Sequence, residues 1–389
     1  MAIFERSWVK ALEQRYRSAS KYTTPFIARL ALDPVLARER AKIEKWFQTL
    51  PEDAKPDIQG RLRDKSSHQH FSAYYELVLY QFFKSIGYSV DIHPKLKEGE
   101  PDLLVTGKNL EKPIIIEIAT VFDTPDWERE EQKFDLILEQ LDKIEHYFFV
   151  MVSVYSEHIP EGVEYKKLNQ FVRGWLDSFD PKTTRTIQEI EYEADGLRLK
   201  LTLVPKKTLE KAPIVGGYML PARFIGATQL RHMLEKKINK YKSIKELGMP
   251  FIIALNMTNM PAGERGLLNE LFGKLVVHIR RKKNGDVASV QESRNFSGLL
   301  TPKPGLAGKT QNTRLSAVLN VASKWPEREA ENEPTSRVHF FRVIHNHWAS
   351  NPLSHGVFEG YPQFVKISEN QTGISFGWVD EGTSKPFDC

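Results

Sequence analysis

The sequence predicts an α/β protein on three observations. The run Pro113 to Phe122 is β-branched, apolar and closed by Asp123, which suits a buried strand better than a helix. Just before it, Pro101-Asp102-Leu103-Leu104-Val105 reads as a second strand, and the short Thr106-Gly107-Lys108-Asn109 turn folds the two into a hairpin. Helical patterns stand on both sides, an apolar one through Tyr74-Tyr75-Glu76-Leu77 and a longer one from Trp127 to Tyr147. With 389 residues, 41% hydrophobic and 27% charged, the chain has material for one large or two ordinary domains.

The elements divide into three parts, residues 1–60, 61–180 and 181–389. The first is a helical segment, with two amphipathic helices between Ile3 and Leu50, the second running from Val35 to Phe47. A polar connector, Pro51 to Gln69, leads into the second part. There the helix bearing Glu76 is followed by an entering strand at Gly87-Tyr88-Ser89-Val90, then the hairpin and the helix Trp127 to Tyr147. Strand Phe148 to Tyr155 and helix Lys166 to Phe179 are expected to complete this core. The third part is α+β. It holds two strands around Ala194-Asp195-Gly196, a basic helix Thr228 to Leu247 and a buried strand Pro250 to Asn256. A hairpin with an Asn284-Gly285 turn comes next, followed by strands Arg314 to Val321 and Arg337 to Ile344.

Three carboxylates carry the chemistry. Alternation puts Glu117 on one face with Ile115 and Ala119, in the middle of a hydrophobic strand. An ionised carboxylate there is costly unless it is paired, solvated in a cleft or bound to a metal. Asp102 begins the hairpin's first strand, and the hairpin brings it towards Glu117. Each residue also has a plain structural reading. Glu76 follows Ser72, a possible N-cap, and would favour the positive end of a helix. Asp102 after Pro101 suits a turn, and Glu117 would serve in a buried ion pair with a Lys or Arg from elsewhere.

In this order the elements resemble the PD-(D/E)XK nuclease superfamily, the restriction-endonuclease-like fold, over about Phe71 to Tyr155. The resemblance implies a mixed sheet flanked by helices. It also implies Mg²⁺ (or Mn²⁺) held by Asp102 and Glu117, with Glu76 as a further ligand or water-orienting group. The activity implied is hydrolysis of DNA phosphodiesters, with defence against foreign DNA, beside other proteins of a defence system, as the family's habit. One position departs from the pattern. Two residues after the Glu the family places a Lys, and here stands Ala119. A cation from a neighbouring element would have to replace it, and Lys133, in the first turns of the following helix, is the choice among Arg129, Lys133 and Lys143. Ala119 equally supports an alternative, a nuclease-derived nucleic-acid-binding or assembly protein that has lost catalysis. The second half is similar to a set of bacterial proteins that carry counterparts of Asn312 to Leu319 and His345 to Leu353 after a nuclease-like first half. That likeness brings no activity with it.

The net charge is +5, which permits binding to a polyanion. Two basic patches are candidate DNA contacts. One is the hairpin tip Arg280-Arg281-Lys282-Lys283. The other is the basic helix, with Lys236 and Lys240 among its cations beside an apolar stripe at Leu234, Ile238 and Tyr241. A solvated face explains either patch as well. The single cysteine, Cys389, excludes an internal disulfide framework, and no apolar stretch approaches a membrane span, so a cytoplasmic setting is expected. Two motifs are set aside. Gly305 to Thr310 resembles the end of a P-loop but has Lys303 where that loop needs Gly, and His345, His347 and His355 lack a convincing fourth zinc ligand.

Overall fold

The strand β3 (Ile114–Thr120) is buried at all seven positions, and β10 (Phe251–Asn256) is buried at all six. Apolar runs of this kind suit parallel strands covered on both faces, and the two pair in parallel, with Ile253 opposite Glu117. The computed structural model describes the chain except residues 18, 98, 108–109, 121–124, 157, 220–226, 241–247, 257–262, 296, 303–309, 327–332, 371–372, 381, 383–385 and 389. It also leaves out the side chains of 125–128, 219, 227–229, 278, 291–293, 369–370 and 373–374.

Helices α1 (Arg6–Tyr16), α2 (Phe26–Leu32), α3 (Ala37–Gln48), α4 (Lys55–Leu62) and α5 (Ser67–Ser85) come first, and α4 lies inside the expected connector. Strands β1 (Ser89–Ile92) and β2 (Leu103–Thr106) then form an antiparallel meander with β3. After β3 come α6 (Pro125–Asp142), β4 (Glu145–His146), β5 (Phe148–Val154), α7 (Tyr165–Asp177), β6 (Gln188–Ala194), β7 (Leu197–Pro205), β8 (Ala212–Pro213) and β9 (Val215–Met219). Helix α8 (Ala227–Lys240) precedes β10, and α9 (Gly263–Phe272), β11 (Leu275–Arg281) and β12 (Val287–Arg294) follow it. The chain ends through β13 (Ala317–Lys324), β14 (Val338–His345), β15 (Gln363–Asn370) and β16 (Gly373–Val379).

The main sheet is mixed and eight-stranded, in the order β1-β2-β3-β10-β13-β14-β15-β16. Side-chain alternation divides its two cores. Ile114, Ile116 and Ile118 pack with α5 and the N-terminal helices, while Ile115 and Ala119 pack with α8 and α9. The expected α/β class with helices flanking a mixed sheet is therefore the observed one. Its closure differs from expectation. Phe148 to Tyr155 and the helix after it do not complete this sheet: β5 joins β6, β7 and β9 in a separate four-stranded sheet covered by α6 and α7, with its own core around Phe134, Leu138, Val150 and Leu201. The main sheet continues instead with β10 and β13, so it crosses the boundary expected at residue 180.

One carboxylate beside the core of the four-stranded sheet has a measurable consequence. Asp135 on α6 is pushed up from its ordinary 3.8 to about 7, first by burial and then by Glu131 one turn earlier, against the pull of Arg29. Between those values the native state holds a proton that the unfolded chain has lost, so stability falls as pH rises from about 4 to 7. Asp135→Asn is expected to raise the melting temperature at pH 8, by the equivalent of about 1–2 kcal/mol once partial exposure is discounted, and to leave it nearly unchanged at pH 4. An equal effect at both pH values in a thermal melt would contradict this account.

Candidate metal and hydrolytic site

The site grows from the β1-β2-β3 meander. Leu103 lies opposite Ile92 on one side and Ile116 on the other. One residue further out, the amide of His93 donates to the carbonyl of Asp102 at 3.0 Å, and the same register places Asp102 beside Glu117. The Asp102 carboxylate is fixed by the backbone of the third strand, with the Ile118 amide donating to Oδ2 at 2.6 Å. His93 has φ +47, a left-handed conformation uncommon outside Gly, Asn, Asp and His. From there its Nε2 lies 3.1 Å from Oε2 of Glu76.

Glu76 is almost wholly buried on α5 and is gripped by both terminal nitrogens of Arg61, from α4, at 2.5 and 2.6 Å. Burial would raise its pKa, but the hydrogen bonds from Arg61 and His93 outweigh that and hold it below the usual carboxylate range. Its hydrogen bond in turn raises His93, against burial. Ligand atoms of Glu76, His93 and Asp102 all lie within 4.8 Å of one another.

Glu117 has no exposed surface. Its Oε1 accepts from Lys240 Nζ at 2.8 Å and its Oε2 from Lys237 Nζ at 3.1 Å. Residues three apart share a helix face, so both ammonium groups leave α8 towards the sheet, beside the buried Leu230, Leu234 and Ile238. Lys237 also lies 3.9 Å from Oδ2 of Asp102, so one ammonium spans the two carboxylates. Asp102 thus sits between two groups, Glu76 with His93 on one side and Glu117 with the lysines on the other. Burial, then the charge of Glu117 and further that of Glu76, push it up to about 6, with Lys237 opposing.

These residues fit a divalent cation. Two carboxylates supply hard oxygen donors of the kind Mg²⁺ and Mn²⁺ take, and the His93 imidazole adds a nitrogen donor more usual for zinc or iron. Of the three expected ligands, Glu76 and Asp102 converge, joined by His93. Glu117 lies beside them, held by lysines.

The cation expected at Lys133 is elsewhere. Its ammonium is engaged by Glu161 at 2.8 Å, the Ile159 carbonyl at 3.0 Å and Glu130 at 3.4 Å. Among the described residues, the side-chain cations beside Glu117 are Lys237 and Lys240, from a helix more than a hundred residues further along the chain. Lys133→Ala is accordingly expected to leave any cleavage rate unchanged, whereas Lys237→Ala slows it; the reverse order in parallel assays would restore Lys133.

Lys240, expected as a surface contact to nucleic acid, is paired with Glu117 while remaining exposed, and Lys236 is exposed too. Arg280, Arg281, Lys282 and Lys283 are exposed at the end of the β11–β12 hairpin. Lys242, Lys245 and the P-loop-like Gly305 to Lys309 lie outside the described residues. His345 is bonded to Gln363 at 2.7 Å, and the three C-terminal histidines form no metal-ligand group among the described residues. Sequence reasoning missed Arg61, His93 and the role of Lys237. No protein-family model matches this chain, and no curated protein or solved structure does.

Proposed function

We propose that this chain is a divalent-metal-dependent nuclease that hydrolyses DNA phosphodiester bonds. The observation that carries the reading is the position of Asp102, within metal-ligand reach of Glu76 and His93 and sharing Lys237 with the buried Glu117. Glu76, His93 and Asp102 would hold the cation, which when bound lowers the pKa of water and offsets charge on the transferring phosphate. Lys237 and Lys240 supply the positive charge that the family pattern places at position 119, and they pair with Glu117 in its apolar strand. Arg61 orients Glu76. Among the described residues no helix is long and apolar enough to cross a membrane.

The test is incubation of wild-type protein with plasmid and linear DNA in Mg²⁺ or Mn²⁺, with EDTA and Asp102→Ala as controls. Metal-dependent cleavage lost in Asp102→Ala supports the reading, and no cleavage of any DNA in either metal opposes it. DNA contact is tested separately. Replacing Arg280, Arg281, Lys282 and Lys283 with Ser is expected to weaken binding across unrelated duplexes and to flatten its salt dependence by up to about four phosphate contacts, near 0.9 each. An unchanged slope in a salt titration would assign the tip to solvated surface.

A second reading, a nuclease-derived binding or assembly protein without catalysis, is favoured by one observation. Both Glu76 oxygens are taken by Arg61 and both Glu117 oxygens by lysines, so two of the three carboxylates are paired without a metal. DNA binding that persists in EDTA, without cleavage in either metal, is its expected result.

A further inference from the structure

A row of paired residues crosses the sheet through Ala119, Leu255, Asn320 and Arg342. It lies two residues beyond Glu117 on the same face, towards the carboxyl ends of the parallel strands β3, β10 and β13. Open α/β sheets take ligands at such ends. Here Asn320, Lys324, Phe340 and Arg342 from β13 and β14, with Glu264 from the first turn of α9, line a cavity of about 390 Å³. That size falls within the usual range for small-ligand pockets.

The wall contains an unmet demand. Asn320 is 5% exposed, yet its Oδ1 has no hydrogen-bond partner among the described residues. A buried acceptor left so is destabilising, and because that oxygen has no accessible surface a ligand's donor meets it once the amide turns to present it to the cavity. Arg342 is committed to the wall, paired with Glu264 and lying 5.4 Å from the Trp378 ring centroid. Lys324 is exposed, with its ammonium 5.0 Å over the Phe340 ring.

We propose that this pocket binds one nucleotide, its base held by Asn320 and Phe340 and its phosphate by Lys324. An exocyclic amino group donates to the Asn320 oxygen. The flat face of the base stacks on Phe340, and the phosphate replaces the ring as partner of Lys324. Two strands across and two residues along place Asn320 about 12 Å from Glu117, at roughly 4.8 Å per strand and 3.3 Å per residue. That is about three to four nucleotides along a duplex strand, a span that one strand can cover between this pocket and the carboxylates around Glu117. This placement on a polynucleotide rests on the nuclease reading; a free mononucleotide offers the same chemistry.

The experiment is calorimetric titration in EDTA, which prevents metal-dependent cleavage, with dAMP, dCMP, dTMP and short single-stranded oligonucleotides of A, C or T. Wild-type protein is expected to bind the A and C ligands several-fold more tightly than the T ligands, which lack the amino group. Asn320→Leu should weaken A and C binding about tenfold and erase the preference. Lys324→Ala should weaken all ligands alike and lower the salt slope by about one contact; it serves as the variant if Asn320→Leu fails to fold. Tighter binding of oligonucleotides than of mononucleotides assigns the pocket to a substrate strand, and equal binding assigns it to free nucleotides. Wild-type protein that binds none of them below about 5 mM, or folded variants that bind as wild type does, overturns the proposal. Asn320-dependent binding without DNA cleavage in either metal sinks the nuclease reading alone, and cleavage with unchanged variant binding sinks the pocket alone.

Discussion

Asp102→Asn is expected to abolish metal-dependent cleavage and at the same time to stabilise the metal-free protein. The carboxylate sits half-buried between Glu76 and Glu117, where burial and then those charges raise it from its ordinary 3.8 to about 6. Below about 4 it is protonated in both the native and the unfolded state and contributes nothing. Above about 6 it is ionised in both, and the full cost of crowding it is present, so stability falls as pH rises through that window. The neutral amide keeps an oxygen for the Ile118 N–H and removes the crowding. A gain of about 1–2 kcal/mol at pH 8 in EDTA is expected, after discounting for exposure. Cleavage should fall by about 10³-fold or more, the scale on which loss of a group that offsets transition-state charge is felt. Thermal melts and a cleavage time course check both halves. Loss of stability at pH 8 would mean that Asp102 is a structural turn residue.

The second large effect concerns Glu117. Replacing Lys237 and Lys240 together with Met leaves a carboxylate with no exposed surface beside apolar neighbours. Removing the partners of a buried charge costs about 3–5 kcal/mol. The double variant should therefore unfold at markedly lower denaturant. Adding Glu117→Gln should recover most of that loss, because the amide needs no counter-charge. Cleavage should not return with stability, since the triple variant lacks both the carboxylate and the cations. Recovery of activity together with folding would show that Glu117 and its lysines are only a buried ion pair.

Much of the core was legible because it is local. The hairpin of β2 and β3, the burial of β3 and the placing of Glu117 on the face of Ile115 and Ala119 follow from turn chemistry and alternation within twenty residues. The partner of β3 was not legible. Phe148 to Val154 and Phe251 to Asn256 are both apolar runs of strand length, and nothing in either says which one β3 will accept; the first alternates between buried and exposed positions, which fits its one-sided sheet, and the second is buried throughout, which fits the centre of the main one. The cations failed for the same reason. Nearness in sequence favours Lys133, whereas Lys237 and Lys240 reach Glu117 because α8 packs on the face of β3 that carries Glu117. Their signal was visible as two lysines three residues apart beside an apolar stripe, and a solvated surface gives the same pattern. Arg61 and His93 carried no pattern: one lay in a polar stretch that proved helical, the other in a left-handed turn.

The most direct test of the central claim is an anomalous difference map from a crystal of the wild-type protein soaked in Mn²⁺. The account predicts a peak bonded to the Asp102 carboxylate at about 2.1–2.2 Å, with Glu76 or His93 in its shell and Lys237 still beside Glu117. A site without a peak, with Arg61 and the lysines closed over Glu76 and Glu117, would contradict it.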